Sequence, residues 1–122
     1  MLLMQTQNIQ IVEGHIHLGA VKILAKETYE YMIKGTVDVV REVVALGGQY
    51  HRDSADLLVL NGSLGNDVWG FNVVFDESEQ GYFLEYDSMV NIKPNLSNNK
   101  REILDQGVRD KVKAIIEKQV KK

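Results

Sequence analysis

The chain has 122 residues, 44% of them apolar and 25% charged, with a net charge of −3 and no cysteine. That length supports one globular domain over 1–122 with a core that needs no staple, and the absence of thiols excludes disulfide frameworks, zinc–thiolate sites and thiol nucleophiles. Charge is unevenly spread: residues 52–87 carry eight acids against one base, and residues 100–122 carry eight bases against four acids. The acidic middle repels phosphate backbones, which disfavours nucleic acid as a partner. The start, Met1-Leu2-Leu3-Met4-Gln5-Thr6, has no basic n-region and its apolar run breaks at Gln5, so no secretory signal is expected. No apolar run approaches the roughly 20 residues of a membrane span. A cytoplasmic location is the default expectation.

In chain order, Asn8–Glu13 alternates and is β-branched, which predicts a first strand ended by Gly14. From Leu18, the apolar positions Val21, Leu24, Thr28, Tyr31 and Met32 recur three and four apart and predict an amphipathic helix. Thr36–Leu46 is rich in β-branched residues, so propensity favours a strand. The stripe Ile33, Val37, Val40 and Val44, with Lys34, Asp38, Arg41 and Glu42 opposite it, instead predicts a helix capped by Gly47-Gly48.

His51–Leu60 is expected to be extended, followed by a turn at Asn61–Gly65. Asp67–Phe75 and Tyr82–Lys93 are expected to be further strands, joined by a polar hairpin loop at Asp76–Gly81. Three consecutive strands predict an antiparallel meander. Pro94 should stop the last of them, and the polar loop Asn95–Arg101 should be mobile or fold over a site. Asp105 is the expected N-cap of a closing helix whose stripe is Val108, Val112, Ile115, Ile116 and Val120. The expected architecture is α+β: a small antiparallel sheet of about four strands, with N-terminal helices and a C-terminal helix packed on one face.

Candidate site residues follow from strand spacing. His51 and Asp53, two apart on a strand, would share a face as a general base with its orienting acid, or as two ligands of a divalent metal completed by Glu85, Asp87 or Asp67. Glu85, Asp87, Asn91 and Lys93 would likewise line the polar side of the last strand, as a contact surface or as plain solvated sheet. Asn91 and Lys93 beside an Asn-rich loop suit an anionic ligand. Trp69, the single tryptophan, packs in the core or contacts a partner. Gly70 beside it would let another backbone approach or mark a bulge. His15 and His17 form a further pair that Gly14 should disrupt. Phosphate-loop, nucleophile-elbow and zinc-helix motifs do not occur.

The runs Ala45-Leu46-Gly47-Gly48-x-x-His51-x-Asp53, Leu58-x-Leu60-Asn61-Gly62-Ser63, Asp67-x-Trp69-Gly70-x-Asn72 and Ser88-x-Val90-Asn91-Ile92-Lys93-Pro94 followed by Asn99 resemble a small prokaryotic family, domain of unknown function 5674. Ala55 and the loop around Ser97–Lys100 depart from its pattern. The resemblance implies a compact single domain without an established activity. The functional expectation is a small non-enzymatic binding or regulatory protein of the prokaryotic cytoplasm, without cofactor, contacting a small ligand or a protein through its polar sheet face. The alternative is a small metal-dependent or acid–base enzyme using His51, Asp53 and Glu85 or Asp87. A homodimer through an exposed sheet edge, or through the apolar excess of the Ile33–Leu46 helix, is a third reading.

Overall fold

The computed structural model describes residues 8–78 and 81–122. The expectations for Met1–Thr6, and for Glu79 and Gln80 in the hairpin loop, lie outside those residues. Ten elements follow in order: β1 (Ile9–Val12), β2 (Ile16–His17), α1 (Leu18–Ala25), β3 (Met32–Asp38), β4 (Val43–Gly47), α2 (His51–Leu60), β5 (Val68–Asp76), β6 (Gly81–Glu85), α3 (Gln106–Gln119) and β7 (Val120–Lys121). The main sheet is antiparallel, ordered β1-β4-β3-β5-β6, and a short parallel pair joins β2 to β7. The α+β class is as expected, with five strands in the main sheet.

Alternation along the central strands builds two cores. Ile33 and Val37 of β3, Val44 and Leu46 of β4, and Trp69, Phe71 and Val73 of β5 meet α1 (Val21, Leu24) and α3 (Val112, Ile115, Ile116) on one face. Ala45 and Val68 meet Ala55 and Leu58 of α2 on the other. Thr36 belongs to that second face too, its hydroxyl donating to the Ser54 hydroxyl at 2.9 Å.

Several assignments are corrected. The helix from Leu18 ends at Ala25, and Met32 already belongs to β3. Thr36–Leu46 is not a helix but most of the β3–β4 hairpin. Residues four apart share a face in a strand as well as in a helix, so Ile33 and Val37 cannot tell the two apart. What decides is the turn: Asp38 Oδ1 accepts from the Val40 and Arg41 amides, both at 2.9 Å, Glu42 takes φ 58°, and Val40 is left 65% exposed. Local carboxylate–amide bonding of this kind is what aspartate supplies in turns.

His51–Leu60, expected to be extended, is α2. Its buried residues His51, Ser54, Ala55 and Leu58 have helical spacing. Two of the four are polar, so an apolar count hides the stripe. With no strand there, the expected meander reduces to the β5–β6 hairpin, and β5 pairs on its other side with β3. The last strand stops at Glu85, eight residues short of Lys93.

Candidate functional site

The expected His51–Asp53 pair is separated by the helix that carries it. Two residues along an α-helix are about 200° apart, and the side chains diverge accordingly. His51, 7% exposed, lies beneath α2 with Nε2 2.8 Å from the Phe71 carbonyl oxygen. A carbonyl only accepts, so Nε2 carries the proton. Burial pushes the His51 pKa down; the Phe71 carbonyl opposes this, Lys34 adds to it, and Asn72 and Asp87 oppose it. Asp53 turns back to accept from the Tyr50 amide at 3.2 Å and closes the first turn of α2. Among the described residues, no three His, Asp or Glu side chains gather as a metal-binding group.

The expected polar row Glu85–Lys93 is dispersed because the chain leaves the sheet after Glu85. Asn91 is fully buried, and its amide occupies the place of a sixth-strand peptide beside β5. Its Oδ1 accepts from the Gly70 amide at 2.7 Å, while Nδ2 donates to Gly70 O at 3.1 Å, Arg101 O at 3.1 Å and Tyr86 O at 3.3 Å. Gly70 permits this approach: a Cβ there would lie 2.5 Å from Ser88 Oγ and 2.9 Å from Val90 Cγ2.

Asn98 is a second stitch, 3% exposed. Its Nδ2 donates to Asn91 O, Lys100 O and Glu102 O within 3.0 Å, and its Oδ1 accepts from the Leu104 amide at 2.8 Å. The Asn-rich segment, expected to be mobile or to fold over a site, is thus held to its own backbone through Asn98. Lys93 spends its ammonium on Gly65 O at 3.0 Å and Val90 O at 3.1 Å, 5.1 Å from the centre of the Trp69 ring. Burial lowers the Lys93 pKa, nearby Arg52 adds to the shift and Asp67 opposes it. Trp69 is 4% exposed and packs in the larger core.

Glu85 and Asp87 are the exposed members of the row, Lys93 being half-buried. Glu85 accepts from Asn72 Nδ2 at 3.2 Å, and Asp87 accepts from Arg101 Nε at 3.1 Å. Both line a hollow of about 610 Å³ with Glu102 and Arg109. Leu84 and Tyr86 are shared with a larger groove of about 830 Å³, whose floor is Tyr82, Leu84 and Tyr86 and whose wall includes Lys113, Glu117 and Lys121. The Arg109 guanidinium stacks 4.6 Å from the centre of the Tyr86 ring, between the two concavities. Burial raises the Tyr82 pKa with help from Glu117; it raises that of Tyr86 too, where Arg109 opposes and Glu117 and Asp110 reinforce the shift.

Arg109, Lys113 and Glu117 lie off the apolar stripe by which α3 is legible in the sequence, and they carry no signal of their own there. Their four-residue spacing places them along one line of that helix. A family model described as a protein of unknown function, DUF5674, matches residues 10–119. The chain belongs to that family. The match runs from Gln10 in β1 to the end of α3 and leaves out Val120, Lys121 and Lys122, which line one end of the larger groove. No curated protein and no solved structure matches the chain. His15 and His17 have rings 6.0 Å apart, His15 just before β2 and His17 within it, and neither lines either concavity.

Proposed function

We propose that this DUF5674 member is a small non-enzymatic binding or regulatory protein of the prokaryotic cytoplasm, and that its contact surface is the strip formed by β6, Glu85, Asp87 and the polar side of α3. The observation that carries the reading is the pair of adjoining concavities of about 830 and 610 Å³ along one strand. They are wide, open to solvent and lined by aromatic rings beside charges, as suits a macromolecular contact. The acid–base alternative draws no such support, because His51 and Asp53 serve the backbone of the fold. A second reading is a homodimer through β6, favoured by that strand lying at the edge of the sheet.

Affinity capture from the native cell with the parent chain and with Lys113→Glu/Glu102→Lys tests the proposal. A partner retained by the parent and lost by the variant is expected. Substrate turnover that disappears on replacing His51 or Asp53 would sink the reading in favour of an enzyme.

A further inference from the structure

Among the described residues, the outer backbone of β6 meets no hydrogen-bond partner. In β5, the Gly70 amide and carbonyl meet Asn91 on the β6 side, whereas the Phe75 amide donates to Tyr31 O at 3.1 Å on the β3 side. Backbone groups alternate along a strand, so Asn72, Val74 and Asp76 face β6. Their partners Glu85, Phe83 and Gly81 are then the β6 residues that face β5. Tyr82 and Leu84 must direct their N–H and C=O groups outward. Tyr86, next in the same phase, shows where that edge leads: its carbonyl takes the Ile103 amide at 3.1 Å. Tyr82 and Leu84 have no such neighbour among the described residues.

The space beyond them is the groove of about 830 Å³. Five residues of β6 span about 17 Å, enough for a peptide of five to seven residues. Charge along this edge is polarised. Lys113 and Lys121 line the groove with Tyr82 and Leu84, where Glu117 is the single acid among the described residues, and Glu85, Asp87 and Glu102 line the adjoining hollow with Arg109 as its one base among the described residues. Lys113, Glu117 and Lys121 make no salt bridge among the described residues.

We propose that the groove between β6 and α3 takes an extended peptide as a sixth strand, hydrogen-bonded to Tyr82 and Leu84, with an acidic side chain against Lys113 and Lys121 and a basic one against Glu85 and Glu102. The mode is strand addition, in which main-chain bonds supply affinity and flanking charges set the register. This rests on the contact surface proposed above and names its occupant.

The test uses the full chain, ¹⁵N-labelled, with capped heptapeptides of alternating valine and threonine carrying glutamate at one end and lysine at the other, in both orders. One order should bind, shift the Tyr82 and Leu84 amides and slow their exchange. N-methylation of alternate peptide residues should abolish binding. Lys113→Glu/Lys121→Glu should weaken it roughly tenfold, as two exposed charge pairs would, and should favour the opposite order. Leu84→Pro, which removes an outward donor, should also abolish binding; the lysine variant keeps the test decisive if that one does not fold. Binding at these residues that tolerates N-methylation would overturn strand addition and leave the contact surface standing. Shifts confined to other parts of the molecule would overturn both. Failure of both peptide orders to bind at millimolar concentration would overturn the peptide as occupant, and so would concentration-dependent dimerisation that protects the Tyr82 and Leu84 amides without peptide.

Discussion

The segment from Tyr86 to Leu104 and the outer edge of β6 face the same problem in opposite ways. Both adjoin an edge of β5–β6 that would otherwise expose backbone polar groups. In the first, the side chain of Asn91 stands in for the missing continuation of β6 and closes the edge, while Asn98 holds the loop that carries it. In the second, Tyr82 and Leu84 meet no such side chain among the described residues, and a groove lies open beside them. Polar residues concentrated in sequence thus mark where the fold satisfies itself. The open surface lies where the sequence looks least unusual.

The largest effect that could break this contrast is at Asn91. Asn91→Ala strands the buried Gly70 amide and carbonyl, each costing about 1–3 kcal/mol. The variant should lose roughly 3 kcal/mol or more, read as a fall in melting temperature of about 10 °C. A variant within 2 °C of the parent would show that the loop does not close the edge. Gly70→Ala should cost about 1–3 kcal/mol by overpacking against Ser88 and Val90, measurable by urea denaturation.

A smaller effect is expected from pH. The folded pKa of His51 lies below its unfolded value of about 6.5, so between those two values the unfolded chain binds more protons. Stability should therefore be full above about pH 6.5 and decline as pH falls towards the folded pKa. His51→Gln, which keeps a donor for Phe71, should flatten that part of the profile. An unchanged slope would mean that His51 titrates as a free side chain. The smallest effect belongs to the open edge: Lys113→Glu should change stability by about 0.5 kcal/mol or less, since its role is towards a partner. A large loss would place Lys113 in the fold.

The legible parts of the sequence were those with one dominant signal. Asp105 caps α3, its Oδ1 accepting from the Val108 amide at 3.1 Å, and the aromatic alternation of β5 reads directly as a strand. Where two periods coincide, as at Ile33 and Val37, pattern alone misled, and the β-branched propensity of that stretch was the better guide. α2 was hidden because His51 and Ser54 fill half of its buried stripe. The candidate site shares that cause: as one strand, Tyr82–Lys93 puts Asn91 and Lys93 on a solvated face by arithmetic. A single break after Glu85 reverses that placement, and nothing local except Pro94 announces it. Gly70 did carry a usable signal, since a glycine beside a buried tryptophan in a strand invites close approach.

Native-state hydrogen exchange tests the central contrast most directly, because it reads both edges in one experiment. The Gly70, Ile103 and Leu104 amides, bonded to Asn91, Tyr86 and Asn98 respectively, should exchange only through large-scale opening. The Tyr82 and Leu84 amides, on the unpaired edge, should exchange orders of magnitude faster in the free protein. Comparable protection at all five would contradict the account, because it would mean that the β6 edge is already covered.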